Sequence, residues 1–329
     1  MSHLSFSHPA WSGDFHGVVP VIPTPFDERD QVDIESLGRL VDFAAAARVK
    51  AACLPAYGSE FYKLSEAERA DVVREAVRVA GGRLKIVAQS NHASSRLAAE
   101  MAKRHEDAGA GLISFALPRM FALTEDDLLR YAETVARAVK VPVLVQDFNP
   151  GGASVGASFA RRLHEAAPNF RFLKLEEPMM GPKVRSIREA TQEKVGVLEG
   201  WGGMYLLELL PAGICGVMPG LAVLDLFQTL VRNLREGDAA TGVRIFERIL
   251  PFIVYSLQNM ELFHHCEKLL LVRRGVLRSA RVREAGLTLD AGARAYLDFL
   301  FGRILDCAGA RNGTACSPLP PGLPPVSQN

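Results

Sequence analysis

Eight short apolar runs, each followed by a turn and a helical pattern, constrain this chain more than any other feature. They cover residues 17–22, 51–54, 84–88, 111–115, 141–145, 170–174, 195–198 and 214–218. The runs are continuous rather than alternating, which is typical of parallel strands that are covered by helices. Eight strand–helix units in about 220 residues therefore predict an α/β fold of the (β/α)8 type, a TIM barrel.

Local signals refine this prediction. Ser65 and Glu68 form a capping-box pattern that begins one helix, and Thr124 and Asp127 form a variant that begins another. Pro20 lies inside the first apolar run and has no amide hydrogen to donate. We therefore expect the first strand to be irregular at that point.

The chain divides into four predicted segments. Residues 1–16 form an N-terminal extension, and residues 17–236 form the barrel. Helical patterns at 240–255, 261–273 and 290–305 predict a helical C-terminal region over residues 237–306. Residues 307–329 are rich in proline and are expected to form a disordered tail.

Charge and cysteine usage exclude several classes of function. Lys and Arg number 38 against 37 Asp and Glu, a net charge of +1, so neither nucleic acid nor a membrane is expected as a partner. The five cysteines lack CxxC spacing and predict reduced thiols in a cytoplasmic protein. Residues 1–17 contain no apolar core of a signal peptide, and the uncharged stretch 209–224 is too interrupted for a membrane helix.

The sixth apolar run contains a lysine near its end. Strand alternation places Phe170, Phe172 and Lys174 on one face. Burying an ammonium group is costly, and a buried lysine favours the neutral amine that can attack a carbonyl and form a Schiff base. The alternatives are a surface lysine or an ion pair with Glu176 or Glu177.

Polar residues follow several of the other runs, and the carboxyl ends of barrel strands are where catalytic groups gather. Tyr57-Gly58-Ser59-Glu60 follows the second run, and its successive amides could bind a carboxylate. The alternative is an ordinary loop in which Glu60 fixes its own turn. His92 follows the third run and could contact substrate or only bond within its loop.

Several motifs together resemble the dihydrodipicolinate synthase / N-acetylneuraminate lyase family over about residues 14–305. They are Pro23-Thr24-Pro25-Phe26-Asp27, the stretch from Tyr57-Gly58-Ser59-Glu60 to Glu68-Arg69, Val141-Pro142-Val143, the Lys174 strand, Gly213-x-x-Gly216, Glu267-Lys268 and Arg274-Gly275. The resemblance implies a class I aldolase barrel with a helical C-terminal region, usually tetrameric and without a metal. It also implies that Lys174 condenses with pyruvate or another 2-oxo acid.

The chain departs from this family at the positions that move protons. Tyr57 and Gly58 occupy the two positions that usually carry hydroxyl side chains, and Gln146 replaces the tyrosine at the end of strand five. Arg119 or Met120 replaces a second tyrosine, which the resemblance implies would come from a neighbouring subunit. Glutamine cannot act as a general acid or base near neutral pH, so another group must carry the proton.

A further departure concerns substrate recognition. The family's arginine that binds the carboxylate of the aldehyde substrate in dihydrodipicolinate synthases is missing from residues 149–154. We therefore do not expect dihydrodipicolinate synthase activity itself. The expected reaction is aldol cleavage or condensation, or dehydration of a 3-deoxy-2-oxo sugar acid, through a covalent Schiff base and without a cofactor.

The predicted site combines one nucleophile with several supporting residues. Lys174 is the nucleophile, and Tyr57 either supplies the missing phenol or only fills the space left by Gln146. The expected substrate-binding residues are Gly58, Ser59, Gln146, Asp147 and Met218. We expect a small 2-oxo acid as the partner and assembly into a tetramer or dimer.

Two alternative functions stay open at this point. Asp147, Glu176 and Glu199 end three successive strands and could hold a divalent metal for enolisation. The missing tyrosines could instead indicate a pseudoenzyme that only binds a 2-oxo acid. His264-His265-Cys266-Glu267 looks like a set of metal ligands, but adjacent helix positions point to different faces, which favours an ordinary helix.

Overall fold

Eight parallel strands form the centre of the molecule. The computed structural model describes residues 15–149 and 152–309. The strands are β1 Gly17–Val18, β2 Ala51–Leu54, β3 Lys85–Gln89, β4 Leu112–Ala116, β5 Val143–Asp147, β6 Phe170–Leu175, β7 Gly196–Glu199 and β8 Gly216–Val217. Hydrogen bonds join them in the order β1-β8-β7-β6-β5-β4-β3-β2.

The sheet closes between its first two strands through residues just beyond β1. Val21 forms a parallel bridge with Cys53, and the amide of Cys53 donates to the carbonyl oxygen of Pro20 at 2.8 Å. β1 itself contains only two residues, because Pro20 cannot donate to the ladder. The predicted TIM barrel and the irregularity at Pro20 are both confirmed.

Helices connect the strands and extend beyond them. They are α1 Ile34–Ala46, α2 Glu66–Ala80, α3 Ser95–Asp107, α4 Glu125–Arg137, α5 Ala157–Ala166, α6 Gly181–Ala190, α7 Leu206–Leu209, α8 Leu224–Glu236, α9 Ala239–Ser256, α10 Met260–Arg273 and α11 Ala291–Gly309. Ser65 and Thr124 cap α2 and α4 in capping boxes, as predicted.

Apolar side chains pack in two places. A large cluster fills the space between the strands and the surrounding helices, with Phe115, Phe159 and Phe227 fully buried. A smaller cluster fills the barrel interior, where Val21 and Met218 reach the cavity described below. The barrel is therefore a packed core with its open end above these residues.

The C-terminal helices pack on the barrel and on each other. α9 lies against α8 and α11, and α10 contacts the short 3-10 helix Tyr57–Ser59 that follows β2. α11 extends to Gly309, three residues beyond the expected boundary at 306; the rest of the expected tail lies outside the described residues. None of the helices in the described part of the chain is long and apolar enough to span a bilayer.

Candidate active site

Lys174 lies near the carboxyl end of β6 and is only 6% exposed. It pairs in register with Gln146 on β5 and with Leu198 on β7. Its Nζ atom lies 2.6 Å from Oε1 of Glu176, two residues further along and on the same side of the chain. The lysine is therefore buried and has a carboxylate partner.

A cavity of about 300 Å³ lies beside this pair at the open end of the barrel. It is lined by Val21, Ala56, Tyr57, Gly58, Gln146, Phe148, Lys174, Glu176, Gly200, Trp201, Gly202, Met218, Pro219, Gly220, Leu257, Gln258, Asn259, Met260 and Phe263. The predicted site residues Lys174, Tyr57, Gly58, Gln146 and Met218 thus meet at one cavity. Its volume is at the lower end of the range for small-molecule sites.

Glu176 accepts the second of two consecutive buried hydrogen bonds. Gln89 donates through Nε2 to Oε1 of Gln146 at 2.5 Å, and Gln146 donates through Nε2 to Oε1 of Glu176 at 2.8 Å. Burial raises the pKa of the Glu176 carboxyl above its ordinary value, and the charge of Lys174 opposes that shift. Gln146, at the position of the family's tyrosine, thus orients a carboxyl group whose pKa is raised.

Gly200 allows this arrangement because it has no side chain. A Cβ atom at this position would lie 2.7 Å from Cε of Lys174 and would also overlap the side chain of Glu176. Any larger residue would push the lysine and the glutamate apart. The glycine after β7 is therefore part of what brings the two reactive groups together.

The turn after β2 presents two backbone amides. Tyr57–Ser59 forms a 3-10 helix, and Glu60 follows it in the left-handed region at φ 57°. Within the described residues, the amides of Tyr57 and Gly58 have no protein acceptor, and both residues line the cavity. The turn can therefore offer two N–H donors to a carboxylate.

Position 58 has room only for glycine, because Phe263 of α10 lies close to it. A Cβ atom at this position would lie 2.9 Å from Phe263 and 3.1 Å from Val21. The hydroxyl side chain that the family usually has here would not fit unless Phe263 moved. The loss of that hydroxyl is therefore coupled to the packing of α10 over the turn.

Tyr57 lies between two aromatic rings at the cavity wall. Its ring is 5.0 Å from Phe61 and 5.6 Å from Phe148, measured between centroids. Burial raises the pKa of its phenol, and the charge of Glu176 raises it further. The phenol therefore stays protonated at neutral pH and can serve as a hydrogen-bond donor.

Two predicted substrate-binding residues, Ser59 and Asp147, do not line the cavity. The hydroxyl of Ser59 donates to the carbonyl oxygen of Ile22 at 2.6 Å, which turns it into the barrel wall. Asp147 is fully buried; it binds Arg119 through two contacts of 2.8 and 2.5 Å. Successive strand residues face opposite sides, so Asp147 points away when Gln146 points in.

The acidic residues expected as an alternative metal site are held apart. Asp147 is bound to Arg119, whereas Glu199 accepts hydrogen bonds from the amides of Gly203 at 2.7 Å and Tyr205 at 3.4 Å. Burial raises the pKa of Glu199 to about 7. In residues 15–149 and 152–309, no group of three or more His, Cys, Asp and Glu side chains is placed to hold a metal ion.

The histidines noted in the sequence have other roles. Nδ1 of His92 accepts the amide of Ser94 at 2.9 Å, and His92 does not line the cavity. His264 contacts the hydroxyl of Tyr62 at 3.0 Å, and His265 contacts the carbonyl oxygen of Leu287 at 2.9 Å. The motif 264–267 is therefore part of α10, as expected for an ordinary helix.

Sequence reasoning missed the residues that α10 and its preceding loop bring to the cavity. These are Leu257, Gln258, Asn259, Met260 and Phe263, and Trp201 after β7 was missed as well. They follow no strand of the barrel, so the rule that sites lie at strand ends does not find them. The role of Glu176 was also missed, since the sequence suggested it only as a lysine partner or a metal ligand.

Comparison with known proteins identifies the family of this chain. The dihydrodipicolinate synthetase family matches residues 14–298. This chain belongs to that family. The predictions of a member of this family and of a lyase of the class I aldolase type are confirmed.

Relatives of this family member have more than one activity. An L-2-keto-3-deoxyarabonate dehydratase from Azospirillum brasilense is 26% identical over 85% of this chain and 92% of its own length. A 4-hydroxy-tetrahydrodipicolinate synthase from Methanococcoides burtonii is 27% identical over 73% and 82%. The crystal structure of dihydrodipicolinate synthase from Rhodopseudomonas palustris matches with a TM-score of 0.82 at 23% identity, over 90% of this chain and 99% of that one, which establishes the fold.

Proposed function

We propose that this protein is a Schiff-base-forming lyase that dehydrates a 3-deoxy-2-oxo sugar acid. One observation carries the proposal: a buried lysine amine lies 2.6 Å from a buried carboxylate, and both face a small cavity. The same constellation can act on pyruvate or another 2-oxo acid at the imine-forming step. Cleavage of a carbon–carbon bond would use the same groups.

The first step is imine formation. Glu176 accepts a proton from the ammonium of Lys174, and the neutral amine attacks the C2 ketone of the substrate. The C2 oxygen takes one proton from the attacking nitrogen and a second from the protonated Glu176, and it leaves as water. The result is a protonated imine at Lys174 that draws electrons from C3.

The carboxylate of the substrate binds at the turn after β2. The amides of Tyr57 and Gly58 supply two hydrogen bonds, so no cationic side chain is needed for this group. The phenol of Tyr57 adds a third donor on the same side of the cavity. These contacts hold C2 next to Nζ of Lys174 and fix the orientation of the substrate.

Glu176 then carries the proton that the family's tyrosine would otherwise relay. Its carboxylate takes a proton from C3, which gives an enamine, and the resulting carboxylic acid protonates the hydroxyl group at C4. Water leaves from C4, an unsaturated imine remains, and Glu176 is a carboxylate again. Gln146 keeps the carboxyl group aimed at C3 and C4 through its bond of 2.8 Å.

Two observations favour dehydration over dihydrodipicolinate synthesis. The similarity to the L-2-keto-3-deoxyarabonate dehydratase extends over 85% of the chain. The only charged side chains at the cavity, among the described residues, are Lys174 and Glu176, so no cation is left for the carboxylate of an amino-acid semialdehyde. The proposal needs no metal, and the tetramer or dimer and the cytoplasmic location stay predictions.

Trapping the imine tests the proposal. Borohydride with pyruvate should add a stable adduct to the intact protein, and peptide mass analysis should locate it at Lys174. Lys174→Ala and Lys174→Arg should give no adduct, and turnover of 3-deoxy-2-oxo sugar acids should persist in EDTA. An adduct without turnover of any acid in the panel would favour a binding protein, and turnover abolished by EDTA without an adduct would favour metal chemistry.

A further inference from the structure

The loop between α9 and α10 forms part of the cavity wall. Its position is fixed at both ends: a Cβ atom at Gly202 would lie 2.9 Å from Leu257, and one at Gly58 would lie 2.9 Å from Phe263. Residues 257–260 therefore bridge the loop after β7 and the carboxylate-binding turn. A substrate that is anchored at that turn and at Lys174 would therefore lie beside this bridge.

The polar groups of the bridge are neutral. Gln258 and Asn259 are exposed at the cavity mouth. Oδ1 of Asn259 accepts a hydrogen bond from the backbone amide of Glu261 at 2.8 Å. Within the described ranges, Nδ2 of Asn259 and the side-chain amide of Gln258 have no hydrogen-bond partner. These groups are thus available to a ligand.

The charged groups of the cavity and the side-chain amide of Gln146 are already occupied. Lys174 and Glu176 pair with each other, and both ends of the Gln146 amide are used by Glu176 and Gln89. Arg119, which lies after β4, is bound to Asp147 and does not line the cavity. Among the described residues, the polar side chains left for the end of the substrate that is distant from C2 are neutral: the amides of Gln258 and Asn259 and the indole of Trp201.

We propose that Gln258 and Asn259 select 2-oxo acids whose distal end is uncharged and hydroxylated, and disfavour acids that end in a second carboxylate. Carboxamides both donate to and accept from hydroxyl groups, which matches a sugar-acid tail. A terminal carboxylate would lose water on entering the cavity without gaining a cation. This selection rests on the proposed function, because Lys174 must hold the substrate at C2.

The test compares two five-carbon acids that share a 2-oxo group and a hydroxyl at C4. One, 3-deoxy-2-oxopentonate, ends in a hydroxymethyl group, and the other, 4-hydroxy-2-oxoglutarate, ends in a carboxylate. Affinity is measured for each acid as competition against borohydride trapping of pyruvate, and it is expressed relative to pyruvate on the same variant. General losses of folding or of imine formation then cancel.

The wild type should bind the hydroxymethyl acid roughly tenfold to hundredfold more tightly than the dicarboxylate. Gln258→Leu should reduce this preference mainly by weakening the hydroxymethyl acid, and Gln258→Lys should reduce it by strengthening the dicarboxylate about tenfold. Asn259→Ser keeps an oxygen that can cap α10 and should weaken only the hydroxymethyl acid.

Equal affinity of the wild type for both acids, or preference for the dicarboxylate, would overturn the selection. So would Gln258 variants that leave the ratio unchanged, because Gln258 would then be an ordinary solvent-exposed side chain. A wild type that fails to trap pyruvate at all would instead refute the imine mechanism itself. The two failures are therefore distinguishable.

Discussion

Replacing Glu176 by glutamine separates imine formation from the later proton transfers. The substitution keeps the size of the side chain and can keep the hydrogen bond with Gln146, which is 2.8 Å long. It removes the group that accepts and returns protons. It also removes the negative charge 2.6 Å from Nζ of Lys174.

The expected effects therefore differ between the two steps. General acid–base catalysis by one positioned group contributes about 10² to 10⁴ in rate, or roughly 3 to 5 kcal/mol. Among the side chains that line the cavity, only Tyr57 could substitute, and its raised pKa keeps the phenol protonated, so it cannot accept a proton near neutral pH. We expect Glu176→Gln to lose about a thousandfold in kcat, while borohydride trapping of pyruvate persists.

The assay measures turnover of a 3-deoxy-2-oxo sugar acid and the yield of the pyruvate adduct on the same preparation. Glu177→Gln is the matched control, since Glu177 binds Lys183 and the amide of Ser154 and does not line the cavity. In the wild type, kcat/KM should rise with pH as the carboxyl group of Glu176, whose pKa is raised, loses its proton. This rise of kcat/KM with pH should be absent in Glu176→Gln. Turnover within tenfold of wild type, or equal loss of trapping and turnover, would refute the assigned role.

Three further predictions concern the surroundings of the site. Gly58→Ser should raise KM and lower the free energy of unfolding by about 1 to 3 kcal/mol, because its Cβ atom would lie 2.9 Å from Phe263; Phe263→Leu should restore part of both. Lys268→Met should cost up to roughly 3 kcal/mol of stability, as measured by denaturant unfolding, because the buried Glu60 then keeps only Lys63, at 3.2 Å, as a cationic partner. Burial raises the pKa of Glu199 to about 7, so the folded state binds this proton more tightly than the unfolded state does. The free energy of unfolding should therefore fall as pH rises from 5 to 8, by up to roughly 3 kcal/mol from this group. Glu199→Gln should make the free energy of unfolding less dependent on pH in this range.

Each of these predictions has a result that would contradict it. A Gly58→Ser protein that is unchanged in KM and stability would mean that Phe263 moves freely. A Lys268→Met protein as stable as wild type would mean that Lys63 alone is enough to compensate the charge of Glu60. A pH dependence of unfolding that is the same in Glu199→Gln and wild type would mean that Glu199 is not the group that titrates.

Helix caps, the strand count and the lysine position could be predicted from the sequence because they depend on short-range patterns. Ser65 and Thr124 cap helices through residues three positions away, and a proline without an amide hydrogen breaks a strand wherever it lies. Lys174 could be placed near the mouth because the alternation along one strand and the direction of parallel strands are both local properties.

The members of the site were harder to predict because they depend on distant segments. Asp147 and Glu176 looked equivalent as acidic residues at strand ends, yet one binds Arg119 and the other Lys174. The sequence suggested Ser59 as a ligand of the substrate, but its hydroxyl donates to the carbonyl oxygen of Ile22, which follows β1. In each case the partner comes from a part of the chain that the local sequence pattern does not identify.

The sequence by itself determined a barrel of eight parallel strands, because continuous apolar runs and helical periodicity allow few other ways to bury so many side chains. It also placed Lys174 near the carboxyl end of the sixth strand, on one face with Phe170 and Phe172. Only the tertiary structure decided that Gln146 holds Glu176 next to the amine of that lysine and that the loop before α10 lines the cavity. The physical reason is that these contacts form across long stretches of chain, where closure of the barrel and packing of the C-terminal helices set the distances.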